Sequence, residues 1–102
     1  MNRVVLILEF EKYLKDHYGT FEKEVVFSSI MPTKRKFRAD YFLREKQIII
    51  ELNGGEYMMG RHTRAKGYQD DLIKADTAQK NGFVYYQFTY THLQNLTYRE
   101  FI

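Results

Sequence analysis

The chain contains no cysteine in its 102 residues. That excludes disulfides and thiolate metal sites, and with them a zinc ribbon or a thiol enzyme, and it suits a reducing compartment. No run approaches the roughly 20 apolar residues that a membrane helix needs. The apolar start of "MNRVVLILEFEKYL" is interrupted by Glu9 and Glu11, and no small-residue cleavage site follows. It therefore reads as a buried helix rather than a signal peptide. A soluble, intracellular, cytoplasmic protein is expected. There is no internal repeat, low-complexity segment or linker, and a chain of this length with 44% hydrophobic residues is expected to form one domain, 1–102, around one core.

What is present in excess is positive charge, though modestly. The formal charge is +3 and the pI near 9.1, which leans toward a polyanionic partner without deciding the matter. The distribution says more. Cations concentrate in "TKRKFR" (33–38) and "GRHTRAK" (60–66). Two basic clusters flanking one acidic site would suit a nucleic-acid backbone with a cation between.

Leu6, Phe10, Tyr13, Leu14 and His17 recur at helical spacing, with Gly19 where a terminating glycine belongs, so residues 3–18 are expected to be a helix. "EKEVVFSSI" (22–30), "FRADYFL" (37–43) and "QIIIELN" (47–53) read as strands, the first followed by a turn at "MPTKRK". Residues 54–67, with four glycines and no periodicity, read as a loop or irregular crossover. "YQDDLIKADTAQKN" (68–81) reads as a helix ended at Asn81-Gly82, on which Asp71, Lys74 and Ala78 share a face. "FVYYQFTY" (83–90) is a strand, and a short terminal helix follows, with Thr91 as its expected cap. The order α-β-β-β-α-β-α gives an α/β (α+β) fold. Its mixed sheet of about four strands is flanked by helices, the last strand parallel to the third.

The short link between the second and third strands forces a hairpin. If Glu45 and Lys46 form its loop, position 40 faces 51 and 38 faces 53, which puts Asp40 and Glu51 side by side with Cβ atoms about 5 Å apart. Two such acids can hold Mg²⁺, which takes one or two carboxylates plus water and substrate phosphate. The rigid Ile48-Ile49-Ile50 strand then fixes Glu51 while the cations behind it hold phosphate.

These residues resemble a family. "RADYFL...IIIELNGG" is similar to the PD-(D/E)XK nuclease superfamily, in which an Asp on one strand and an (Asp/Glu)-x-Lys on the next form a Mg²⁺ site. "FRAD", "IIIELNGG", "GRHTRAKGYQDDLIKADTA" and "NGFVYYQFT" follow the order and spacing of small phage-type and repair-type nucleases related to its very-short-patch repair and Holliday-junction resolvase branches. The resemblance covers residues 24–90. It implies a restriction endonuclease-like fold and a Mg²⁺-dependent endodeoxyribonuclease, with Mn²⁺ as substitute, acting on DNA in phage DNA processing, recombination or repair. Branched or nicked DNA is one specialisation, and a homodimer would serve symmetric cutting. Asp40 and Glu51 would be catalytic metal ligands, with the Leu52 carbonyl as a third. The motif lysine falls at position 53, which is Asn53 here. Lys74 could reach back from the following helix in its place, or Asn53 could orient water. A first-helix glutamate is also implied, with Glu11 the best placed and Glu9 its rival; Glu24, on the first strand, is a third claimant.

Ordinary readings stand beside these. Asp40 and Glu51 can be sheet carboxylates in structural ion pairs, and Asp71 with Lys74 a surface pair on a helix. Arg35, Lys36, Arg38, Arg61, His62, Arg64 and Lys66 form a basic rim, solvated or, in the functional version, contacting phosphate. Two functions compete with the nuclease: a catalytically inactive nucleic-acid-binding module with the same fold, and a protein-interaction subunit using its aromatic surface.

Overall fold

A computed structural model describes residues 2–53 and 61–102, with the backbone alone for 61–66 and 68. The first helix, α1 (Arg3–Tyr18), starts where the Asn2 side chain accepts a hydrogen bond from the Val4 N–H at 2.6 Å. It ends at Gly19, whose φ of 80° only glycine adopts without strain. Leu6, Phe10 and Leu14, one turn apart, are buried on its inner face. Phe10 is the hub, with edge-to-face contacts to Tyr41 and Tyr98 at 5.3 and 5.0 Å between ring centres.

Strands β1 (Glu22–Val26), β2 (Arg38–Leu43) and β3 (Ile48–Leu52) form an antiparallel meander, and β4 (Val84–Phe88) adds to β3 in parallel. A parallel neighbour requires a crossover, which α2 (Arg61–Lys80) supplies. The expected mixed sheet and element order are thus observed. With α1 on one face and α2 on the other, the central strand is covered twice: Ile50 packs with Phe10, Leu14 and Phe88, and Ile49 with Phe42, Ala78 and Phe27. This is why "IIIEL" is apolar without alternation. None of the described helices is long and apolar enough to cross a membrane.

Several boundaries differ from the sequence reading, among them the following. The strand expected to run to residue 30 stops at Val26, and Phe27–Ser29 wind into a 3₁₀ turn that seats Phe27 fully in the core. The β2–β3 link is a 3₁₀ turn over Arg44–Lys46 followed by left-handed Gln47, longer than the two-residue loop expected but equally symmetric. The register Tyr41↔Ile50, Phe42↔Ile49, Leu43↔Ile48 therefore continues by count to the expected facing of 40 and 51. The helix α2 begins at Arg61 rather than 68, because Gly67 sits inside it. An interior glycine costs about 1 kcal/mol and does not stop a helix. The last helix, α3 (Tyr90–Gln94), is capped by Thr89, not Thr91, since only Thr89 has His92 three residues on to return a bond to its own N–H. The glycines at 54, 55 and 60 lie outside the described residues.

Candidate functional site

Beyond Tyr41↔Ile50 the seam between β2 and β3 is closed by side chains. The Asp40 N–H donates to Glu51 Oε2 at 2.7 Å, and the Leu52 N–H donates to Asp40 Oδ2 at 2.8 Å. Each acid thus accepts from the backbone of the other's strand. Glu51 is buried between the central strand and α2, and its Oε1 accepts a hydrogen bond from Lys74 Nζ. Lys74 comes from α2 because residues 71, 74 and 78 share the face whose Ala78 is buried against the sheet. Its ammonium also lies 5.7 Å above the Phe27 ring.

Burial raises the carboxyls of both acids above their ordinary values. For Glu51 the Lys74 bond and the Asp40 N–H oppose the rise, and for Asp40 the Leu52 N–H and the Lys74 charge do, without cancelling it. Asp40 feels a further push from Glu24, which lies opposite it by count on β1 and holds a left-handed φ of 57°.

Asn53 ties the end of β3 to β4 through its N–H, which donates to Phe88 O at 2.8 Å. With Glu51, Asp71, Tyr85 and Gln87 it lines a cleft of about 100 Å³. That is room for a few waters at about 30 Å³ each. Tyr85 escaped the sequence reading, which gave "VYYQFTY" to core and sheet surface, while Asp71 was expected only as a helix-face neighbour of Lys74. Tyr85 has its phenol raised by burial and then by Glu51, Asp71 and Asp40. The signal that finds it is the parallel register Ile49↔Tyr85 and Glu51↔Gln87, which aligns 85 and 87 with the acid's face.

Other site candidates lie apart. Glu11 faces the α1 layer, where it accepts from the Tyr41 hydroxyl at 2.6 Å and pairs with Lys23 at 2.9 Å. Burial pushes its carboxyl up, but these two partners outweigh burial and leave it below the ordinary value. Glu9 pairs with Arg99. The structure therefore brings neither first-helix glutamate to the Asp40–Glu51 pair. Arg35, Lys36 and Arg38 are exposed, in the segment that leads into Asp40 in the chain. The positions of Arg61, His62, Arg64 and Lys66 fall in the first turns of α2, not in a loop, and their side chains lie outside the described residues.

Among the described residues no three acidic, histidine or cysteine side chains gather into a ready-made cage. Two hard carboxylates sharing one sheet end fit a cation that keeps water and phosphate as its remaining ligands, the habit of Mg²⁺, and do not fit an all-protein calcium cage. No protein-family model, curated protein or solved structure matches the chain.

Proposed function

We propose that this protein is a Mg²⁺-dependent endodeoxyribonuclease of the PD-(D/E)XK kind. The observation that carries the reading is the buried grouping of Asp40, Glu51 and Lys74, with both carboxyls raised by burial and the lysine delivered from the neighbouring helix. Asp40 and Glu51 would hold the cation, with the Leu52 carbonyl as the third ligand that the resemblance implies. When bound, Mg²⁺ supplies charge neutralisation on a phosphodiester and lowers the pKa of a coordinated water. Lys74 keeps a positive charge at the buried end of the sheet, where it steadies a phosphate oxygen and stands in for the lysine missing at Asn53. Asn53 orients water in the small cleft that it lines with Tyr85 and Gln87. The reaction adds water to the phosphorus and breaks one P–O bond, leaving a phosphate on one strand end and a hydroxyl on the other.

The test is incubation of the purified protein with linear duplex, single-stranded, nicked and four-way-junction DNA in Mg²⁺, Mn²⁺ or EDTA, beside Asp40→Ala and Glu51→Ala. Metal-dependent cleavage that disappears in both variants is expected, and the best substrate names the specialisation. Salt-sensitive binding with every substrate intact in both metals would instead establish a binding module.

A further inference from the structure

A second feature lies on the same helix, toward its C-terminal end. Thr77, Lys80 and Asn81 from α2 and the turn after it face Thr33, Lys34 and Arg35 across a cleft of about 530 Å³. No acidic side chain lines it among the described residues. Lys34, Arg35 and Lys80 form no ion pair with a carboxylate among the described residues, unlike Lys12, Lys23, Arg44, Lys74 and Arg99. Neutral groups are in place as well. Asn81 Nδ2 spends one of its two protons on Thr77 O at 2.8 Å, and Thr33 Oγ1 organises the turn by accepting from the Arg35 N–H at 3.0 Å. Three cations with no carboxylate within 4 Å among the described residues, and with hydroxyl and amide groups between them, have the donors that a phosphodiester anion accepts from, although Asp76 lies one turn before Lys80.

Spacing relates this cleft to the acidic pair. Lys80 lies six residues beyond Lys74, about 9 Å along a helix that rises 1.5 Å per residue. Phosphates of one strand advance about 3.4 Å each along the axis of a duplex, so a separation of this size is within the reach of neighbouring phosphates. We infer that the cleft of Lys34, Arg35 and Lys80 binds the backbone of a nucleic-acid strand at a phosphate near the one held at Asp40, Glu51 and Lys74. This rests on the nuclease reading for the position of that first phosphate.

The experiment measures binding of a fluorescein-labelled DNA duplex by anisotropy across salt, in EDTA so that nothing is cut. It compares the wild type with Arg35→Gln/Lys80→Gln and with Lys15→Gln/Lys46→Gln, which removes the same charge elsewhere. All four side chains are exposed. Loss of two phosphate contacts makes the plot of log K against log salt shallower by about 1.8. The wild type then loses about twelvefold more affinity than Arg35→Gln/Lys80→Gln between about 50 and 200 mM salt, while the Lys15/Lys46 variant keeps the wild-type slope. A role for Lys80 confined to offsetting the helix dipole would not move this slope. Equal slopes in all three proteins, or equal changes in both variants, overturn the cleft assignment alone. A wild-type protein that binds no DNA even at low salt overturns the nuclease reading and the cleft with it.

Discussion

Replacing Lys74 with methionine isolates the electrostatics of the candidate site. In the Lys74–Glu51 pair the side chains are only 15% and 11% exposed. Removing one member of so buried a pair costs about 3–5 kcal/mol, because the other charge is stranded. Methionine keeps most of the volume and can still contact Phe27, so packing contributes little. The stranded Glu51 can escape by taking a proton, which fixes how the cost depends on pH. Its carboxyl is already raised above 4.5 by burial even with Lys74 present, and it rises further without it. A raised folded-state pKa means that the folded protein holds the proton more tightly than the unfolded one. Stability is then full below the unfolded value and falls as pH climbs through the folded one, by up to about 1.4 kcal/mol per pH unit. Urea unfolding should therefore show Lys74→Met within about 1 kcal/mol of wild type near pH 5 and about 3–5 kcal/mol below it near pH 8. At about 4 °C per kcal/mol for a chain of this length, the deficit near pH 8 is about 12–20 °C in Tm. Glu51→Gln/Lys74→Met should recover most of the loss, since the amide oxygen still accepts the Asp40 N–H. Parallel wild-type and Lys74→Met stabilities across pH, or no recovery in the double variant, would refute the reasoning.

Two other outcomes are expected. Asp40→Asn removes a carboxyl whose burial lifts it above 3.8. By the same sign its charge costs stability as pH rises from that value, so the variant should melt a few degrees higher than wild type near neutral pH in calorimetry, with a flatter profile, while losing metal-dependent cleavage. Glu24→Gly relieves a left-handed backbone that costs an L-residue about 1–2 kcal/mol, and should stabilise the protein by about 1 kcal/mol in urea unfolding. A loss there would mean that the Glu24 side chain contributes more than its backbone costs.

The facing of 40 and 51 was legible in the sequence because hairpin register depends only on the sum of paired positions. The 3₁₀ turn with Gln47 replaced the expected loop and kept that sum. The face shared by Asp71, Lys74 and Ala78 was legible from helical spacing, yet what Lys74 meets depended on where the crossover docks. Tyr85 was not legible as a neighbour of the acids, since a parallel register has no short turn to set it. The start of α2 was hidden by Gly67, which marks a break in most local readings and here is tolerated inside a helix with nothing within 4 Å of the space a Cβ would take. Glu11 fell on the wrong layer for the site because α1 packs over the face that carries Tyr41.

The seam where each acid accepts the other strand's N–H could be sewn equally well by amides. Asparagine at 40 and glutamine at 51 would offer the same acceptor oxygens, free of the desolvation that lifts both carboxyls, and neither would demand a buried ammonium in return. A sheet that asked only for closure could drift to those residues, one base change or two at a time, and gain stability in doing so. Two acids and a lysine are thus a more costly stitch than closure alone requires, and their charge is what the proposed cation site would draw on.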